Sequence, residues 1–276
     1  MVQEMSAGPT VIASHESLEP FCIRVFEKLG VPRDEARILV TANLRGVDTH
    51  GVLRMPAYVS KLKGGALRPA VHLTTEKETV ATALLDGHDG IGQVIGFRAM
   101  QTAIRKAGEA GVSCVSVRNS NHFGAAAYYP MMALESGMID VVLSNASPRL
   151  APTGGYKGYG ITLMVDLLTG VLSDSNFGTR VKGIDQDAEP AGVAHTFLAV
   201  NLAAFTDAAA FGRRMDAYIE EIKSSRKARG SEVIYVPGDP EHLRVLDRKE
   251  KGITLPAKVA DELRVIGKDL GVPPDF

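Results

Sequence analysis

The chain predicts an α/β protein in which a layer of alternating strands and helices is flanked by helical segments at both ends. Two observations support this. Between roughly residues 76 and 205, short apolar runs alternate with amphipathic stretches of helical period. On either side, over 1–75 and 206–276, apolar residues recur mainly at three- and four-residue steps. The composition agrees: 276 residues, 45% hydrophobic and 23% charged, can bury a sizeable core.

The first helix rests on Leu18, Phe21, Cys22, Val25, Phe26 and Leu29, with Gly30 placed to end it. Pro32 then stands at a first helical position. Asp34 and Glu35 suit the N-terminal dipole of a second helix, whose apolar face holds Ile38, Leu39, Ala42 and Leu44. A third helix is expected from near Val52 to Lys63, stopping at Gly64 and Gly65. In the middle, "TVATALLDG", "VSCVSVRN", "IDVVLSNAS" and "HTFLAVNL" read as strands. "GFRAMQTAIRKAGEAG", "AAAYYPMMALESG" and "GYGITLMVDLLTGVL" read as helices, and a polar loop runs from Ser173 to Pro190. The tail is expected to hold helices over Asp207 to Ser225 and Pro256 to Leu270.

Several function classes are disfavoured. The 31 basic and 32 acidic residues leave a formal charge of −1, so no global field recruits nucleic acid or an anionic membrane. The opening "MVQEMSAGPTVI" has neither the basic start nor the apolar run of a signal peptide, and no stretch has the length of a membrane span. A cytoplasmic chain is expected. Cys22 and Cys114 stand far apart within apolar patterns, which suits buried thiols. The seven histidines lack zinc-ligand spacing, so no metal site is expected.

Four stretches could carry chemistry. In "DGHDGIGQVIG", Gly90, Gly92 and Gly96 follow a strand and precede a helix, but the spacing only approximates a dinucleotide turn. The next strand ends in Arg118 and Asn119 instead of the acid that would hold ribose hydroxyls; an arginine could hold the 2′-phosphate of NADP instead, but a tight glycine turn is the favoured reading. In "DTHGVLR", a helix beginning near Gly51 would project His50 and Arg54 from one face. A guanidinium and an imidazole there could grip a carboxylate, although a helix cap and a solvated charge explain them about as well. In "VRNSNHFG", His122 follows a strand at the edge where open sheets bind ligands, as an acid/base or as a satisfied turn histidine. In "GGYKGYG", glycines flank Tyr156 and Lys157 before a helix, which suits a phosphate or a plain loop.

Together, in this order, "LRGVDTHGVLRMPAYVSKLKGG" and "RNSNHFGAAAYYP" resemble the malate/L-lactate dehydrogenase family of NAD(P)-dependent oxidoreductases. The segments "DGHDGIGQVIGFRAM", "GGYKGYGITLMVDLLTGVL" and "VPGDPEHLRVLDRKEKGITLPAKV" extend the likeness over nearly the whole chain. The resemblance implies a mixed-sheet α/β core that is not a Rossmann fold. It implies hydride transfer between NAD or NADP and a small 2-oxo acid or 2-hydroxy acid, usually in a homodimer. Cyclic imino acid reduction and ureidoglycolate oxidation are the alternatives within the family.

Carried over by position, His122 would be the acid/base at the carbonyl oxygen, while His50 and Arg54 would orient the substrate carboxylate, with Thr49 and Tyr58 lining the same site. The cofactor would meet His122, Phe123 and Gly124, the turn at Ser144 and Asn145, and the loop of Gly155, Tyr156, Lys157 and Gly158. Thr49 replaces the usual serine, Ala127 a common glycine and Arg149 a frequent proline. The larger departure is a module of several tens of residues that relatives carry between two glycine turns. Here those turns merge at Gly154 and Gly155, an apparent internal deletion near 152–156 within the 76–205 catalytic part. This raises a second expectation, a catalytically silent dimerising relative.

Overall fold

A computed structural model of the chain describes residues 8–33, 37–69, 72–146, 155–184 and 189–276. The start of the second helix and the merged glycine junction, including Gly154, Arg149 and Ser147, lie outside the described residues.

The first helix, α1, spans His15–Lys28; Ser14 caps it by accepting from the Ser17 amide, and Gly30 follows with φ +82°. α2 covers Arg37–Leu44. The expected third helix starts later than Val52. Two tight 3-10 turns, Asp48–His50 and Val52–Arg54, come first, and α3 occupies Met55–Lys63 with Pro56 in its first turn.

The middle layer is a five-stranded sheet. β2 (Thr74–Glu78), β3 (Thr82–Asp86), β4 (Val112–Ser120), β5 (Met138–Ser144) and β6 (Val193–Asn201) lie in the order β2-β3-β4-β6-β5. Only β3 and β4 pair parallel, joined through α4 (Gly92–Ala110); the other three pairings are antiparallel. The sheet is therefore mixed, as expected. α4 begins at Gly92 rather than Gly96, and α5 occupies Tyr128–Glu135. α6 runs over Gly155–Asp166 and continues as a wider π-helical stretch, Leu167–Val171.

α7 (Ala208–Ser224) and α9 (Ala257–Leu270) fall where the tail pattern put them. Between them lie α8 (Asp239–Lys251) and β7 (Ile253–Pro256), which the pattern did not show. β7 pairs antiparallel with β1, Thr10–Ala13, so the two ends of the chain meet.

Burial is divided between two cores. One joins α1, α2 and α3 to β7 and α9, with Phe21, Phe26, Met55 and Leu263 at its centre. The other lies between the sheet and α4 and α5, around Val115, Tyr129 and Phe197. α4 serves both: Ile91 and Val94 at its start join the first core, Ile95 and Ala99 the second. The seam between the cores lies at the start of α4, beside the turn that carries His122.

Candidate active site

The turn after β4 is held from three sides. Asn119 adopts φ +50°, a left-handed conformation that asparagine tolerates better than most residues. The Asn121 amide donates to the Gly90 carbonyl at 3.0 Å, and its oxygen accepts from the Ala191 amide at 3.2 Å. Gly92 presses against the turn so closely that a Cβ there would lie 2.4 Å from the His122 carbonyl oxygen and 2.2 Å from that of Asn121. The glycine run thus lets a helix start touch the His122 backbone. Gly96 likewise admits the Tyr129 ring, which a Cβ would meet at 2.7 Å.

Beneath the turn lies a second histidine that sequence reasoning passed over. His195 on β6 is fully buried and stacks on Phe123 with ring centroids 4.0 Å apart. Its Nε2 faces the Asn121 carbonyl at 3.1 Å, so that nitrogen carries the hydrogen, and Nδ1 faces Ser144 Oγ at 3.0 Å. Burial pushes its pKa down to about 3. His195 is a neutral prop under the turn.

The turn carrying Thr49, His50 and Arg54 is clamped by the far end of the chain. Arg248 on α8 donates to both Asp48 carboxylate oxygens, at 2.6 and 2.8 Å, and to the Asn43 carbonyl. Asn43 Nδ2 donates to Asp48 at 2.7 Å, and its oxygen accepts from the Val52 amide at 2.8 Å. Gly51 passes so close that a Cβ would meet Asn43 Oδ1 at 2.1 Å. Arg54 does not project from one uninterrupted helix face with His50, because the 3-10 turns intervene. Instead its Nε folds back to the Thr49 carbonyl at 2.8 Å.

The two turns meet at their histidines. The rings of His50 and His122 stack with centroids 5.4 Å apart and 24° between planes. Tyr58, fully buried on α3, sets its hydroxyl against His122 Nδ1, and the Gly124 amide points at the same nitrogen at 3.4 Å. Burial drives the Tyr58 phenol well above its ordinary pKa, so it stays protonated. The pKa of His50 is lowered, first by burial and then by the Arg54 charge. His50 is thus a neutral hydrogen-bonding ring, its Nδ1 3.0 Å from Thr49 Oγ1, and the positive charge beside it belongs to Arg54.

The residues expected at a cofactor fall into two groups. Phe123, Ser144 and Asn145 are engaged in the scaffold. Asn145 Nδ2 donates to the Asn176 carbonyl at 2.7 Å and its oxygen accepts from the Ala194 amide at 2.8 Å, while Ser144 Oγ meets His195. Gly155, Tyr156 and Lys157 open α6 in exposed positions, with Gly158 half-buried behind them. Gly155 has φ +64° and open space around it. Free helix-start amides beside a lysine form a donor set that fits a pyrophosphate. Arg118 is not available for a ribose phosphate, because it pairs with Asp86 at 2.9 Å and Glu76 at 3.3 Å.

Asn43, Asp48, Asn121, His195 and Arg248 were missed as site residues. Asp48 and Asn121 adjoin the quoted histidines, a usable signal; nothing local marks Arg248. Among the described residues no helix is long and apolar enough to cross a membrane.

An imidazole held at one nitrogen thus stands near an arginine at the end of a mixed sheet. Comparison with known proteins supplies the family. The malate/L-lactate dehydrogenase profile matches residues 13–155 and 148–264. A malate dehydrogenase of Pyrococcus abyssi is 32% identical over 343 aligned positions, covering 93% of this chain and 94% of the relative. An L-sulfolactate dehydrogenase of Methanocaldococcus jannaschii is 29% identical, covering 95% and 98%. The structure of malate dehydrogenase from Pyrococcus horikoshii OT3 superposes with a TM-score of 0.91 at 32% identity, covering 96% of this chain and 97% of that one. The chain belongs to the malate/L-lactate dehydrogenase family, a family of oxidoreductases acting on hydroxy acids.

Proposed function

We propose that this chain transfers a hydride between NAD or NADP and a small 2-oxo acid or its 2-hydroxy counterpart, of the malate or lactate kind. The observation that carries the reading is the contact of Tyr58 with His122 Nδ1, which orients the ring; Nε2 is the nitrogen assigned to the substrate oxygen. In reduction His122 gives its proton to the carbonyl oxygen; in oxidation it takes the hydroxyl proton. Arg54 holds the substrate carboxylate, and neutral His50 with Thr49 adds hydrogen bonds without a second charge. The nicotinamide, when bound, supplies or accepts the hydride. Lys157 and the amides of Gly155 and Gly158 would hold its phosphates, and the Phe123 and Gly124 backbone would lie along it.

A homodimer accompanies this reading. α6 and its continuation bury almost nothing and leave Ile161, Leu163, Met164, Leu167, Val171 and Leu172 more than half exposed. Such a row is what a second copy would cover.

Oxidation of NADH and NADPH should be followed with oxaloacetate, pyruvate and a cyclic imine. His122→Ala should lower kcat by about 10²-fold or more while the fold persists. Unchanged turnover in that variant would remove His122 from the chemistry.

One observation favours a second reading, a silent dimerising relative. The alignment with the Pyrococcus abyssi enzyme spans 343 positions, more than the 276 residues of this chain, and the family profile matches in two pieces that adjoin at the merged glycine turns. Titration of NADH fluorescence separates the readings. Saturable binding with turnover supports the enzyme, whereas a folded dimer that binds no dinucleotide supports the silent relative.

A further inference from the structure

Residues 202–252 carry α7 and α8, and not one of them is buried. They leave the sheet at the end of β6 and rejoin the body at β7. Within this arm α7 is amphipathic: Phe211, Met215, Tyr218, Ile219 and Ile222 fall on one stripe about 100° wide, with Arg213, Asp216, Glu220 and Lys223 outside it. Yet α7 packs mainly on the short turn Leu202–Ala204 that precedes it. A helix of this length standing free in water is marginal, and an amphipathic one takes its stability from whatever covers its stripe. Along the arm Phe205, Met215, Tyr218, Tyr235, Leu243 and Leu246 are between 37% and 69% exposed.

α6 presents the complementary surface. Between Lys157 and Asp166 it has no charge, it is apolar on every side, and it too buries nothing. Such a helix belongs in an interior. Its own arm starts far from it: in β6, His195 lies opposite Ser144 and Asn201 opposite Met138, so α6 follows the Ser144 end of the sheet while the arm leaves from the other. Two bare apolar surfaces of unlike shape on one chain suit a twofold pair, in which each arm lies across the α6 of the other copy. The exposed apolar side chains of the arm come to roughly 700 Å² and those of α6 with its continuation to roughly 600 Å², so covering under two-thirds of them reaches the ~800 Å² per partner of a stable interface. Left bare, they would exceed the patches that monomers expose.

The far end of the arm is also the clamp on the turn of Thr49, His50 and Arg54. α8 meets the body through Arg244, whose Cγ would lie 3.0 Å from a Cβ on Gly46, through Val245 on the helical core, and through Arg248 on Asp48 and Asn43. We propose that residues 202–252 form an arm that docks on α6 of a second copy, and that this docking steadies α8 and so keeps Arg248 on the Asp48 turn. The functional half of this rests on the proposed role of that turn in holding substrate. Each site is then fully braced only in the dimer. The arm of a lone chain is fixed at its two ends and nowhere between, so α8 loosens and Asp48 is left with the Asn43 amide.

The test uses the full chain without ligand. Sedimentation over a dilution series gives the oligomeric state, and amide hydrogen exchange on the same samples reports residues 43–54. Wild type should be a dimer whose 43–54 amides exchange faster once dilution separates the copies, while those of β3 and β4 do not change. Tyr218→Glu, in the middle of the α7 stripe, should raise the dimer dissociation constant about 30-fold or more and bring the same loss of protection where wild type is still paired. The place of docking is read by crosslinking. An equimolar mixture of Tyr218→Cys and Met164→Cys chains, treated with a short bis-maleimide, should give an arm-to-α6 product mapped by peptide mass, and neither chain alone should give it. If Tyr218→Glu does not fold, dilution and crosslinking decide the matter. A wild-type chain that is monomeric throughout, a dimer indifferent to Tyr218→Glu, crosslinks joining α6 to α6, or 43–54 exchange unchanged on dissociation would each overturn the proposal. Full turnover by a monomeric chain would overturn the arm and leave the proposed function in place; a dimer that shows the coupling without turnover would do the reverse.

Discussion

Arg248→Met tests whether the far end of the chain controls the turn of Thr49, His50 and Arg54 proposed to hold substrate. In the intact protein Arg248 makes three charge-assisted bonds, two to Asp48 and one to the Asn43 carbonyl. Its side chain is 13% exposed and that of Asp48 28%. Methionine retains much of the stem and removes all three, leaving Asp48 with the Asn43 amide alone. Breaking a fully buried pair costs about 3–5 kcal/mol; discounting for the water that reaches Asp48 gives about 2 kcal/mol. The functional effect should be larger than this suggests. The same turn carries Thr49, His50 and Arg54, and a shift of about 1 Å in a positioned group can reduce kcat/KM 10- to 100-fold. Denaturant unfolding and steady-state kinetics on the acid substrate provide the two readouts. Arg248→Lys, which keeps the charge but loses the fork, should fall between wild type and Arg248→Met. A stability change under about 0.5 kcal/mol together with unaltered kinetics would refute the clamp.

Three further perturbations follow from the same geometry. Asp140 on the edge strand β5 has both carboxylate oxygens buried without partners, and burial raises its pKa to about 6. The folded state therefore holds more protons than the unfolded one between the ordinary carboxylate pKa and 6, so stability falls as pH rises through that window. Asp140→Val should stabilise by about 1–2 kcal/mol at pH 8 after discounting for solvent, and by less near pH 4; an equal gain at both would refute it. His195 works in the opposite sense: with its pKa lowered to about 3, the unfolded state binds the extra proton as pH falls below the ordinary histidine value. Acid should then remove up to about 4 kcal/mol, and His195→Phe should flatten that slope in pH-dependent unfolding. Gly92→Ala drives a methyl into the Asn121 and His122 carbonyls, so it should destabilise by about 1–3 kcal/mol and lower kcat more than Gly90→Ala does. Equal effects from the two alanines would show that the close approach is not what matters.

Local pattern carried much of the fold. The apolar faces of α1 and α4 and the strand runs of β3, β4, β5 and β6 each repeat with the period of their element, and the histidine at the end of β4 fell where open sheets present ligands. Elements with no pattern of their own were invisible. β1 and β7 are four residues each and become strands only by pairing with one another across nearly the whole chain. β2 reads "TTEKE", a charged edge strand largely exposed to water. α8 reads "DPEHLRVLDRKEK", so strongly charged that its few apolar residues make a weak signal; it is held to the site turn through Arg248. Strand direction was equally hidden, since alternation shows that elements form layers but not that β6 returns antiparallel beside β4. In the site, the histidines and Arg54 were legible because their chemistry is unusual in a turn. Arg248 and His195 were not, because an arginine in a charged helix and a histidine in a strand are common in sequence. Only their burial and partners distinguish them.

The placement of the site between two cores bears on how it can fail. His50, Arg54 and Tyr58 are fixed to the helical core, and His122 to the sheet core. Each core can remain intact while the rings move apart, so stability and turnover need not fall together. What joins the two halves is the first turn of α4: Ile91 and Val94 lie in one core, Ile95 in the other, and Gly92 and the stem of Gln93 between them lie against the turn of His122 and Gly124. A change in that turn alters the distance from Tyr58 to His122 directly, whereas a cavity at Phe21 or Val115 alters it only by loosening a whole core. Substitutions at residues 91–95 should therefore lower kcat out of proportion to their effect on Tm, and truncations deep in either core should do the reverse.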